Sequence, residues 1–124
     1  MSTYDVALRG DAAVAVLALN GNIDRDALSR LNESYEQAIG TDPDAVLLDF
    51  SQVNYINSTG IALIVGVLGR ARAEGRRILA AGLTEHYARI FTITRLADFI
   101  QIYSDVDSAV SDVETHHAQE GAGG

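Results

Sequence analysis

The sequence predicts an α/β fold: a mixed, mostly parallel central sheet of about five strands flanked by about four helices. Three observations predict it. Short apolar, β-branched runs alternate with segments whose apolar residues recur at helical spacing. Glycine, aspartate and proline punctuate the junctions. No repeat or composition shift divides the 124 residues, a length that suits one folding unit.

Tyr4-Asp5-Val6-Ala7-Leu8-Arg9 alternates loosely and reads as a strand, Gly10-Asp11 as a turn, and Ala12 to Leu19 as a second strand folding back in a hairpin. Asn20-Gly21-Asn22 is expected to break that strand. Asp24 suits the N-cap of a helix reaching about Ile39, with Leu28, Leu31, Tyr35 and Ile39 on one face, Gly40 at its end and Pro43 in the following turn. Ala45 to Phe50 reads as a buried central strand. A loop is expected next, then a helix from about Thr59 to Ala73 closed by Gly75. Arg76 to Ala81 is the next strand, Thr84 caps a helix to about Thr94, and Phe99 to Tyr103 is the last strand. Ser104 to about His117 forms the final helix, with Val106, Ala109, Val110 and Val113 inward and Ser104–Asp107 resembling a capping box. The folded unit is thus expected over residues 1–117, and the glycine-rich residues 118–124 as a disordered tail.

Composition narrows the function classes. Hydrophobic residues make up 48% of the chain, enough for a core without metal or disulfide, and cysteine is absent. A formal charge of −8 repels phosphate backbones and anionic lipid heads, so neither nucleic acid nor membrane is an expected partner. The first residues carry no signal-peptide pattern, and the longest apolar stretch, Ile61 to Gly69, is about half a membrane span. A cytoplasmic protein is the expectation.

The informative run is Asp49-Phe50-Ser51-Gln52-Val53-Asn54-Tyr55-Ile56-Asn57-Ser58-Thr59-Gly60-Ile61. A buried strand delivers the chain to its carboxyl end, where α/β sheets engage ligands and partners. Ser58 falls where the next helix begins, and Gly60 removes side-chain bulk so that another backbone can approach. Serine at a helix start is most often only a cap. The same position also suits a phosphoryl group, because unpaired N–H groups and the positive end of the helix dipole stabilise the dianion.

This run resembles the signature of the STAS family of anti-sigma-factor antagonists, D-[LF]-S-x-V-x-[FY]-[ILM]-D-S-[ST]-G-[IL]. Gly21-Asn22-Ile23-Asp24 resembles the same family's G-x-[IL]-D. The resemblance implies regulation of transcription by protein–protein binding and signal transduction, without catalysis and without a cofactor. In that family the domain binds an anti-sigma factor, often a serine kinase of the GHKL type, and so releases a sigma factor, and the resemblance implies the same partner here. The kinase phosphorylates the signature serine and a PPM-type phosphatase reverses it. By position, Ser58 is the implied phosphoacceptor, and Asp24, Asp49, Asn57, Ser58, Thr59 and Gly60 lie on the implied partner face. The alternative is a STAS module without the phosphorylation cycle, serving as an assembly subunit or binding a small ligand. Asn57 departs from the aspartate the pattern carries there. Losing that charge is compatible with slower phosphorylation, with a more stable phosphoform, or with a branch that does not use the switch.

The helix after Ser58 is apolar nearly all round. Ile61, Ile64, Leu68 and Ala71 cluster on one side, while Ala62, Leu63, Gly66, Val67 and Arg70 fall off that stripe. These five form either a second partner surface or a lateral contact with a neighbouring helix. Other constellations carry little chemistry. His86, His116 and His117 lack metal-ligand spacing, Ser58 has no G-x-S-x-G context, and Arg70, Arg72, Arg76 and Arg77 form a local basic cluster at a helix C-terminus.

Overall fold

The computed structural model describes residues 4–11 and 13–123, with side chains through residue 115. The opening hairpin turns at Gly10 and Asp11, both with positive φ, and pairs β1 (Asp5–Arg9) antiparallel to β2 (Val14–Ile23). Asn20-Gly21-Asn22 does not break β2. The strand runs on to Ile23 across two register shifts against its neighbour, with Gly21 absorbing the irregularity at φ 69°.

The next strand, β3 (Ala45–Ile56), is also longer than expected. The polar stretch Ser51 to Tyr55, read as loop, stays extended because Asn20 to Ile23 pair with it from one side. Its other side lies beyond the reach of β4 (Arg77–Ala81), which pairs only up to Asp49. A ladder closed on one side tolerates polar residues facing water. The last strand, β5 (Gln101–Tyr103), starts later than expected, because Leu96–Asp98 forms a 3₁₀ turn and leaves Phe99 exposed. The five strands lie in the order β1-β2-β3-β4-β5, with β2 to β5 parallel.

Between the strands run α1 (Leu28–Ile39), α2 (Ser58–Ala73) and α3 (Glu85–Ile93), and α4 (Val106–Gly123) follows β5. Asp24 caps, but what it caps is a 3₁₀ turn, Arg25–Ala27, that leads into α1. Leu31, Tyr35 and Ala38 face inward, whereas Leu28, one turn earlier, stays out. Gly40 ends α1 in right-handed conformation, and the left-handed residue is Asp42, just before Pro43. Thr84 caps α3 by accepting the Tyr87 N–H at 3.3 Å. The cap of α4 is Asp105, which accepts the Ser108 N–H at 2.7 Å, in place of the expected Ser104–Asp107 box. α4 runs to Gly123, past the end expected near His117 and into the expected tail of residues 118–124; side chains beyond residue 115, those of His116 and His117 among them, lie outside the described ones.

Alternation along the strands builds two cores. Leu17, Leu19, Val46, Leu48, Phe50, Ile78 and Ala80 face α1, α2 and α3. Val14, Val16, Ala45, Leu47, Leu79 and Ala81 face α4, through Ala109, Val110 and Val113. The larger core sets the height at which α2 crosses the sheet.

Candidate functional site

β3 ends at Ile56, whose N–H donates to the Tyr87 Oη at 2.9 Å. Asn57 then turns the chain, and its own N–H donates to the Ile23 carbonyl at 3.3 Å. Its Oδ1 accepts the Gly60 N–H at 2.8 Å, so Asn57 is the N-cap of α2. Ser58 is therefore the first helical residue and not the cap. It is exposed, and among the described residues its hydroxyl has no hydrogen bond. No acidic side chain occupies the first turn, so the positive end of the helix dipole is left uncompensated beside that hydroxyl.

Gly60 admits a close backbone, as expected of it, but does not lie on the exposed face. It is buried, and a Cβ there would lie 1.9 Å from the Ile23 carbonyl oxygen. The backbone that approaches is the chain's own. Gly60 thus leaves the exposed partner face and becomes the seat on which α2 rests against the end of β2.

The other expected residues divide. Asp24 follows Ile23, which pairs with Ile56, so it borders the Ser58 turn; its Oδ1 accepts the Asp26 N–H at 3.0 Å. Asp49 does not join them. Six residues of β3 separate it from Ile56, seven strand steps or roughly 23 Å at strand rise. It also alternates with Phe50, onto the α4 side of the sheet. Its carboxylate accepts the Ser51 N–H at 3.0 Å. Val67 is 4% exposed and belongs to the larger core, because α2 lies rotated so that Gly60, Ile64, Val67, Leu68 and Ala71 point inward. Leu63 is partly buried against that core.

Arg70 turns toward α1. It pairs with Glu36 and Glu74 and lies 4.8 Å from the centre of the Tyr35 ring. For Leu63, Val67 and Arg70, packing inside the molecule replaces the second surface. What stays exposed on α2 is Ser58, Thr59, Ala62 and Gly66, joined by Val65 and Gly69, and no charge interrupts that face before Arg72. The sequence pattern does not mark Val65 and Gly69; the phase of α2, which the all-round apolar sequence conceals, brings them into line.

The rest of the arginine cluster is also engaged. Arg76 pairs with Asp42 and Glu74, Arg77 with Asp112, and Arg72 stacks on Phe99. The Tyr35 hydroxyl donates to Glu74 at 2.8 Å. Burial and then that carboxylate push the phenol up to about 12, while the hydrogen bond from Tyr35 holds Glu74 below its ordinary range. Among the described residues, no three His, Asp or Glu side chains gather as a metal site.

The family model described as "Mlab, STAS domain" matches residues 6–102. The chain belongs to the STAS family. Within it, the chain is similar to the anti-sigma-B factor antagonist of Listeria monocytogenes, 29% identical over 82 residues, covering 66% of this chain and 72% of the relative. It is similar also to the intermembrane phospholipid transport system binding protein MlaB of Escherichia coli, 28% identical over 80 residues, covering 64% and 76%. The anti-sigma-factor antagonist (STAS) domain protein from Planctomyces limnophilus superposes with a TM-score of 0.75 at 17% identity, over 90% of this chain and 98% of that one. Within the signature run, Ser58 and Thr59 in the first turn of α2 are exposed, as are Ser51, Gln52, Asn54 and Tyr55 on β3. No helix among the described residues is long and apolar enough to cross a membrane.

Proposed function

We propose that this STAS protein is an anti-sigma-factor antagonist. It binds an anti-sigma factor of the GHKL serine-kinase type through the first turn and exposed face of α2, and phosphorylation of Ser58 switches it off. One observation carries the reading: Asn57 takes the capping role, so the Ser58 hydroxyl is exposed and unengaged at the positive end of α2. The kinship with the Listeria antagonist supports the same role. A phosphoryl group there gains from the helix dipole and leaves the core untouched, while it adds a charge of about −2 to a face that is otherwise small and uncharged. The partner then meets a dianion beside Ala62 where it had met a hydroxyl, which costs the complex a few kcal/mol, or roughly a hundredfold in affinity. A PPM-type phosphatase reverses the step.

Incubation with the cognate kinase and ATP tests this. Intact-mass analysis should show one phosphoryl group, lost in Ser58→Ala, and the phosphorylated chain should no longer bind the anti-sigma factor. An unmodified chain, with Ser58→Ala binding like the wild type, rejects the switch. The kinship with MlaB favours a second reading, a subunit of a larger assembly without a phosphorylation cycle. Under that reading the α2 face binds a partner whose affinity is indifferent to ATP.

A further inference from the structure

β1 lies at one end of the sheet, and its outer edge is open among the described residues. Asp5, Ala7, Leu8 and Arg9 are exposed, and the strand holds no proline, lysine or bulge of the kind that protects an edge. The other sheet edge, β5, is only three residues long.

We infer that β1 is a self-association edge that pairs antiparallel with β1 of a second copy of this chain. Residues facing each other across such a pair must point to the same side of the sheet. The register that meets this condition and uses the whole strand is centred on Ala7. It sets Asp5 opposite Arg9, Val6 opposite Leu8 and Ala7 opposite itself. The charges are then complementary at both ends. A parallel arrangement sets like against like, Asp5 beside Asp5 and Arg9 beside Arg9, so the charge pattern selects the two-fold form.

The two faces agree with that register. Asp5, Ala7 and Arg9 lie on the α4 side, where Arg9 already reaches Asp107 at 2.8 Å. Val6 packs against the larger core on the other side, and Leu8, 45% exposed, follows it there. In the pair, Leu8 of one copy covers Val6 of the next. Asp5 has no ion-pair partner among the described residues, so the contact gives it one. Each copy uses this edge once, so the assembly closes as a dimer and does not grow into a fibre. β1 borders β2 on the side away from β3 and β4, over which α2 runs, so the contact leaves the Ser58 faces of both copies open.

Sedimentation over roughly micromolar to millimolar concentration, the range in which so small an interface dissociates, provides the test. All chains carry Asp107→Asn to remove the competing intrachain pair. The parent should move from one chain mass to two. Asp5→Arg and Arg9→Asp should each weaken dimerisation about tenfold or more, and the double reversal should restore it to within about threefold. Circular dichroism confirms that each variant is folded. As a second readout, alternate β1 amides should exchange more slowly as the parent concentration rises. A parent that stays monomeric, single reversals without effect, or a folded double reversal that fails to recover each overturns the proposal.

Discussion

The two ends of α2 are fixed by different kinds of contact. At the C-terminal end, side chains do the holding: Arg70, Glu74 and Arg76 form a chain of ion pairs with Glu36 and Asp42, and Tyr35 donates into its centre. At the N-terminal end the backbone does it. Gly60 sits on the Ile23 carbonyl, Asn57 donates to the same oxygen, and one amide closes the cap. An end held by backbone leaves its side chains idle. Ser58 and Thr59 are therefore available to a partner, while the polar groups at the other end are committed to one another.

Gly60→Ala breaks that contrast most severely. Its methyl has no room against Ile23, so α2 must lift, and a loss of about 3 kcal/mol is expected in urea unfolding. The phase of α2 comes next. Leu63→Asp puts a carboxylate against the larger core and should cost about 2 kcal/mol. Ala62→Asp, one residue away on the exposed face, should stay within about 0.5 kcal/mol of the parent while losing partner affinity at least about tenfold. Calorimetry of both variants, with titration of the partner into the second, separates the two positions.

Tyr35→Phe probes the committed end, and about 1.5 kcal/mol should go with the hydrogen bond to Glu74. Its pH signature is specific. The folded chain keeps the phenolic proton up to about 12, against 10.0 for the ordinary group. The Tyr35 contribution is thus complete below pH 10 and is lost as the pH climbs toward 12. Urea midpoints at neutral and strongly alkaline pH should converge for parent and variant. The smallest effect belongs to the cap: Asn57→Ala should cost about 1 kcal/mol and fray the first turn, visible as faster amide exchange at Gly60, whereas Asn57→Asp stays within a few tenths.

Much of this was legible in the residues. Apolar runs and turn residues located every strand and helix, and the inward face of α4 was read as it stands. Positions governed by long-range pairing were not. Asn20-Gly21-Asn22 and Ser51 to Tyr55 look like loops individually and become strand only because each supplies the other's hydrogen bonds. The rotation of α2 was hidden for a related reason. Its sequence is apolar on all sides, so Val67 and Ala62 are indistinguishable until the sheet decides which of them it covers. The signature marked Ser58, but whether it capped the helix depended on Asn57, where either side chain had an oxygen to offer.

The strand order has a consequence for what this surface can recognise. A sheet that adds each new strand on the same side, never reversing, sends its α1, α2 and α3 crossovers over one face. Folds that reverse open a crevice between diverging helices, and small molecules settle there. Here the winding provides no such divide, and the starts of α1 and α2, brought together by the Ile23–Ile56 pair, form a shoulder. A shoulder suits another macromolecule's concavity better than it suits a metabolite, and on it the placement of a single hydroxyl counts for more than the depth of any cleft.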